Sequence, residues 1–552
     1  MKKHCLLLVI ALFAAVTAGA AERTWQQKRQ IALSVLGTQA QTRGAQAGEL
    51  KLLKKATGLS VVGYDGGGFA VISNDDSQEA VLGWSDGKFG TDLPDGLEWW
   101  LKAADAALSA QTGYVREYLP SDIDPSLPSS VTPLLTTVWG QSAPFNLLCP
   151  HNYPSGCVAT AMSQIMYYHK YPAQSTGMII DNSAGIVDLS GITYDYESML
   201  PDYRNGYTTE QGNAVATLMR YAGVAAYMNY ASGGSGTASV NAAVALRDNF
   251  SYHENIAFRT RRYHSDADWM EMVYSELAAG RPVQYGAQDA LGSGGHAFVF
   301  DGYNEEGFVH VNWGWDSDGN GYYDIELLNP TMIGSTFEYS EDQDMIMGIG
   351  LPDDDIKHRS ELLCSGSFNA SYLSNRLTVR LTSIGLYNFN IYPFNGNVYL
   401  KLTGDNGDYT LTTASFADEP ISMFVRTSSG ASFYGGRFSS DYSSALPDGL
   451  PDGTYQLYLA VQDGGYTEVS PMSYAEGSVS FYTLTKSGSN VTLEPGYGYI
   501  SSGIDGVTVS PDVTGKPADN RIYSIDGRYV GTDETQLPKG LYIRGGKKFV
   551  KK

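Results

Sequence analysis

Cys157 is the residue whose setting most invites chemistry. It stands in Ser155-Gly156-Cys157-Val158-Ala159-Thr160-Ala161-Met162-Ser163-Gln164-Ile165-Met166, where Val158, Met162, Ile165 and Met166 recur at helical spacing and Pro172 ends the pattern. A helix burying this stripe starts at or just before Cys157, with Ser155 as the candidate N-cap. The positive end of the helix dipole then favours thiolate over thiol, and the thiolate is the nucleophile. Taken alone, such a cysteine is more often structural, because free cysteine is commonly buried.

The second segment pairs a base with an orienting group. Gly292-Ser293-Gly294-Gly295 feeds His296 at the start of an apolar strand, Ala297-Phe298-Val299-Phe300. A turn over 304–307 leads to Phe308-Val309-His310-Val311-Asn312-Trp313. An antiparallel hairpin of these strands brings Asn312 beside His296, so that the amide orients the imidazole and Trp313 shields the hydrogen bond. That is triad logic with Asn as third member. By itself, His296 is equally well an ordinary turn histidine.

The elements that must position these residues lie in the middle of a chain of 552 residues, long enough for about three or four domains. From Trp25 to Leu59 the pattern reads as helix. Strands follow at Leu59 to Tyr64, Gly68 to Ser73 and Ala80 to Ser85, then an amphipathic helix from Leu97 to Leu108. Pro120, Pro125, Pro128 and Pro133 punctuate a polar linker, which separates a small α+β unit over 22–125 from a mixed helix-and-strand block over 131–352. Beyond Pro352, runs such as Leu377 to Leu381 and Val398 to Leu402 alternate apolar and polar residues, an antiparallel β-sandwich over 356–497. Residues 503–552 repeat the pattern as a small β domain. The expected fold class is α+β, with β domains following.

Composition narrows the partners. With 37 Lys and Arg against 59 Asp and Glu, the net charge of −22 argues against nucleic acid and anionic membranes. Lys2 and Lys3, the apolar run Leu6 to Ala15 and the small residues Ala18-Gly19-Ala20 read as a cleaved secretory signal over 1–20. That run is shorter than the ~20 residues of a membrane span, so the protein is expected to be secreted or held at the cell surface. Cys149, Cys157 and Cys364 then remain, an odd number that leaves at least one thiol free or paired between chains. Cys149 either pairs with Cys364 or stays free.

The block over 131–352 resembles the streptopain-type cysteine peptidases, including the interpain-like members, which have a papain-like two-lobed fold. The resemblance rests on Trp139-Gly140-Gln141, Gly156-Cys157-Val158-Ala159-Thr160-Ala161, Gly295-His296-Ala297-Phe298-Val299, His310-Val311-Asn312-Trp313-Gly314-Trp315 and Leu328-Asn329-Pro330, in that order. It implies that Cys157 attacks the scissile carbonyl and that His296 pairs with it as imidazolium, then protonates the leaving amine. Asn312 orients His296, Trp313 covers the pair, and Gln141 donates its side-chain amide to the oxyanion beside the Cys157 N–H. No cofactor or metal is implied, only reducing conditions. The substrates are proteins or peptides. Residues 22–125 resemble the family's propeptide, which implies a zymogen whose own N-terminal unit is its inhibitor. Residues 503–552 resemble the sorting tails of Bacteroidetes proteins, implying an outer-membrane secretion machinery as partner.

Two features point elsewhere and carry less, and two rival readings stand beside the peptidase. Gly83-Trp84-Ser85-Asp86-Gly87 fits the serine-hydrolase elbow but lacks the following helix. Asp316, Asp318, Asn320 and Gly321 match the start of a calcium loop, yet its twelfth position is Leu327, so a turn beside the site is the better reading. A transglutaminase-like acyl transferase would use the same Cys and His. A surface adhesin or glycan-binding protein with a vestigial peptidase block is the rival from another class.

Overall fold

The computed structural model describes residues 21–551 apart from 38–48, 111–112, 182–184, 289–294, 329–342, 359, 424, 428–429, 433–434, 476–477, 498–521, 525–528, 532–539 and 545–546. The expected signal peptide, Asn329-Pro330 and most of the expected sorting tail lie outside the described residues. The chain forms two compact units, one of Met1–Glu117 with Asp318–Gly334, the other of Tyr118–Ser317 with Ser335–Lys552.

In the first unit, the helix Trp25–Leu36 opens with a capping box between Thr24 and Gln27 and stops at Gly37. It is shorter than the sequence pattern suggests. Lys51–Lys55, expected as helix, is a strand paired antiparallel with Leu59–Gly63. The reason is tertiary: Leu59–Gly63 is buried throughout and needs a partner on each side, and a lysine-rich strand makes a soluble edge. Within this unit the strands lie in the order Lys51–Lys55, Leu59–Gly63, Phe69–Ser73, Val81–Ser85 and Gly321–Tyr323, and the strand Gly321–Tyr323 comes from far along the chain. The helix Asp95–Ala110 buries Leu97, Leu101, Ala104 and Leu108, the face expected from its spacing, and Trp99, Trp100, Ala103 and Ala107 besides. Ser85 lies in the sheet with its hydroxyl donating to Asn320 O at 2.6 Å, which leaves no nucleophile elbow.

In the second unit, strands in the order Val309–Asn312, Gly295–Tyr303, Val283–Gln288, Gln343–Met347, Ala257–Thr260 pack against the helices Cys157–His169 and Ser239–Asp248, and the helix Thr209–Ala225 packs on those two helices. Val158, Met162, Ile165, Leu218, Val244, Val299 and Ile346 share this core. A β-rich region follows, with its own core around Leu377, Leu386, Leu400, Leu457 and Leu459. It holds the expected alternating runs, but one pair, Leu362–Ser365 with Ser473–Tyr474, is parallel rather than antiparallel. Near the C-terminus, Ile522–Ser524, Tyr529–Gly531, Gly540–Arg544 and Lys547–Lys551 form one antiparallel sheet. Among the described residues no helix is long and apolar enough to cross a membrane.

Candidate active site

The helix Cys157–His169 begins at Cys157, as the apolar stripe predicts, but its N-cap is Gly156 rather than Ser155. Gly156 has φ +89°, and a Cβ there would lie 2.8 Å from the Met228 side chain and from Ser235 O. Only glycine meets both conditions. Ser155 is instead fully buried and ties the helix start to the preceding segment, its N–H donating to Gln141 O at 3.0 Å. That bond sets Gln141, half-buried, beside the N-terminus that carries Cys157. Gly140 lets the chain run close to the Asp316 turn: a Cβ on it would sit 2.7 Å from the Asp316 carboxylate oxygens.

Cys157 is half-buried, and its Sγ lies 4.0 Å from Gly295 O, against the residue that precedes His296. His296 is the second residue of its strand, also half-buried, paired across the sheet with Ala287. The expected hairpin forms, with a bulge between His310 and Val311 that sets Asn312 opposite Val299. Val299 is three residues from His296, so its side chain points to the other face of the sheet. The Asn312 carboxamide accordingly bonds elsewhere. Its Nδ2 donates to Thr137 O at 2.8 Å and Gln164 Oε1 at 3.1 Å, and its Oδ1 accepts from Gly314 N at 3.1 Å and Gln164 Nε2 at 3.3 Å. Trp313 lies on the histidine's face, its ring 4.7 Å from that of Phe298, two residues along from His296.

Gln164 is the residue that the sequence pattern did not single out. A lone buried amide two helical turns after the cysteine, amid an apolar stripe, was the available signal. His310, also in the motif, pairs with the fully buried Asp301 at 2.6 Å, and Asp301 accepts from Leu135 N at 3.0 Å, which fixes the hairpin to the incoming chain.

Cys149, Cys157 and Cys364 are all free thiols, so Cys149 does not pair with Cys364. Burial pushes the Cys149 thiol up to about 11 and that of Cys364 up to about 12. In the turn read as a partial calcium loop, the first unit's Asp318 pairs with Lys88 at 3.1 Å. Among the described residues no group of three or more His, Cys, Asp or Glu side chains is placed to hold a metal ion.

Known proteins carry the same arrangement of segments. The family model described as the Peptidase C10 family matches residues 139–323. The chain is 35% identical over 314 residues to the thiol protease/hemagglutinin PrtT of Porphyromonas gingivalis, covering 51% of this chain and 36% of that protein's length. It is 28% identical over 298 residues to streptopain of Streptococcus pyogenes, covering 49% of this chain and 74% of streptopain. Among solved structures, a prointerpain A fragment of Prevotella intermedia matches with a TM-score of 0.50 and 39% identity, over 55% of this chain and 99% of the fragment. With nearly the whole of that fragment covered at this identity, the chain belongs to the peptidase C10 family, the papain-fold cysteine peptidases that include streptopain and interpain.

Proposed function

We propose that the protein is an exported cysteine endopeptidase, made as a zymogen, that hydrolyses peptide bonds in proteins. The observation that carries this is Cys157, a half-buried thiol on the first turn of a helix, lying against the residue that precedes His296. The Cys157 thiolate attacks the scissile carbonyl carbon. The oxyanion so formed takes hydrogen bonds from the Cys157 N–H and the Gln141 side-chain amide. His296 gives its proton to the leaving amine, and a thioester to Cys157 remains. His296, now neutral, takes a proton from the attacking water, and the thioester breaks to release the acid and the thiolate. Trp313 covers the histidine.

Residues 1–20 act as the signal peptide, 22–125 as an inhibitory propeptide, 131–352 as the catalytic domain, 356–497 as a β-sandwich, and 503–552 as the sorting domain read by an outer-membrane secretion machinery. Coverage of nearly all of a pro-form fragment supports the propeptide reading.

Incubating the recombinant chain with casein under reducing conditions, beside Cys157→Ala, tests this. The wild type is expected to process itself near residues 120–131 and to cleave casein, and the variant to do neither. Release of amine without peptide-bond cleavage would identify an acyl transferase instead.

A further inference from the structure

The carboxamide of Gln164 is a buried, multiply bonded group beside the site. It is fully buried and sits seven residues after Cys157, two turns along the same face of the helix Cys157–His169. Its Oε1 accepts from Thr137 Oγ1 at 2.9 Å, Asn312 Nδ2 at 3.1 Å and Trp139 N at 3.4 Å. Its Nε2 donates to Asn312 Oδ1 at 3.3 Å. Asn312 completes the set through Thr137 O and Gly314 N. One pair of amides therefore joins three segments: the helix that begins with Cys157, the stretch from Thr137 that leads into Gln141, and the strand end that leads into Trp313.

We propose that Gln164 and Asn312 are a positioning pair that sets Gln141 and Trp313 relative to Cys157, and that Asn312 acts through Gln164 rather than on the imidazole of His296. The proposal rests on the peptidase reading above. A carboxamide suits the place because it accepts and donates at once. A glutamate there would lack the N–H that reaches Asn312 Oδ1 and would bury a charge. A buried polar set in which each side-chain nitrogen and oxygen has a partner holds one arrangement, whereas an apolar contact would let the segments slide. Gln141 lies only two residues beyond Trp139, so a shift of that stretch moves the oxyanion donor directly. Such donors act only when placed to within a fraction of an ångström.

The test uses the full-length chain after self-processing, a peptide amide substrate, and rates normalised to alkylatable Cys157. Gln164→Leu is expected to lower kcat about tenfold with KM within about twofold, a part of what losing an oxyanion donor costs. The pH dependence of Cys157 alkylation should not move, because His296 lies outside the pair. Asn312→Leu should give the same fall, and the double variant no further fall. Thr137→Val removes one donor with little change of shape. It should give a smaller fall in kcat at an unchanged Tm, and it carries the test if the other variants do not fold. Additive losses, an unchanged kcat in Gln164→Leu, or a shifted alkylation profile in Asn312→Leu would overturn the proposal. The last of these would place Asn312 on His296. A wild type without Cys157-dependent hydrolysis would sink the peptidase reading, and the proposal with it.

Discussion

The three thiols among the described residues differ in reach. Cys149 and Cys364 are 5% and 1% exposed, and burial holds both protonated to about 11 and about 12. Cys157 is half-buried at a helix N-terminus. Near pH 8, roughly the working range of thiol alkylation, the two buried groups are neutral, enclosed and unreactive. Iodoacetamide should therefore add once per native chain, at Cys157, and peptide mapping by mass spectrometry checks the position. The Cys157→Ala chain should take up none until it is unfolded. Equal labelling of Cys149 in the native chain would contradict this. At this scale the sequence is informative where chemistry and spacing coincide, as at Cys157 and His296. It misleads where a backbone angle decides. Ser155 is the better N-cap by side chain, but the φ +89° turn and the close Met228 leave only glycine for the cap position. It is silent on Gln164, because a glutamine in a helix gives no sign of what it bonds until Thr137 and Asn312 are folded against it.

Among the elements, the strand Ala257–Thr260 and the start of the strand Leu362–Ser365 meet through a buried charge pair. Arg259 and Glu361, each 3% exposed by side chain, are 3.2 Å apart, and His264 reaches the same carboxylate at 3.1 Å. Burial raises the Glu361 pKa, but Arg259 and His264 outweigh it and hold it below 4.5. A carboxylate held low in the folded state contributes its stability above its unfolded value and loses it as pH falls through the folded one. Glu361→Ala should cost about 3–5 kcal/mol near neutral pH, since it leaves Arg259 buried without its carboxylate. Urea unfolding measures the cost, and the gap to wild type should narrow as pH falls below the ordinary carboxylate range and Glu361 protonates. A gap constant with pH would refute the linkage. Neither charge was readable as a partner of the other, since 102 positions separate them. Local elements were legible where the pattern is self-sufficient: the strands Phe69–Ser73 and Val81–Ser85 and the helix Asp95–Ala110 fall where alternation and spacing put them. The strand Lys51–Lys55 was not, because its state is set by the edge of Leu59–Gly63 that it covers.

At the scale of the molecule, the order of the chain and the division into units disagree. The proline-rich linker suggests a clean cut between an N-terminal unit and the rest, yet Asp318–Gly334 folds with Met1–Glu117. The strand Gly321–Tyr323, still within the family-matched residues 139–323, pairs antiparallel with Val81–Ser85. Next to it, the fully buried Asp324 accepts from Tyr114 Oη at 2.8 Å and Arg116 Nε at 3.1 Å, and its carbonyl takes the Trp100 indole N–H at 3.0 Å. No local pattern could show this, because it joins residues more than 200 positions apart. A cut in the linker therefore breaks the chain but not the unit. With a specific protease site placed between Ser126 and Val131 of the Cys157→Ala chain, which lacks the proposed nucleophile, the nicked fragments should co-elute on size exclusion at neutral pH and separate only in denaturant. Asp324→Ala removes the carboxylate that Arg116 and Tyr114 share, worth about 3–5 kcal/mol for a broken buried pair, and should let the N-terminal fragment elute alone. If the fragment separates from the unsubstituted nicked chain in native buffer, the contacts at Gly321–Asp324 do not hold it. If it stays, the proposed maturation requires a second event after cleavage, the removal or digestion of a bound N-terminal fragment.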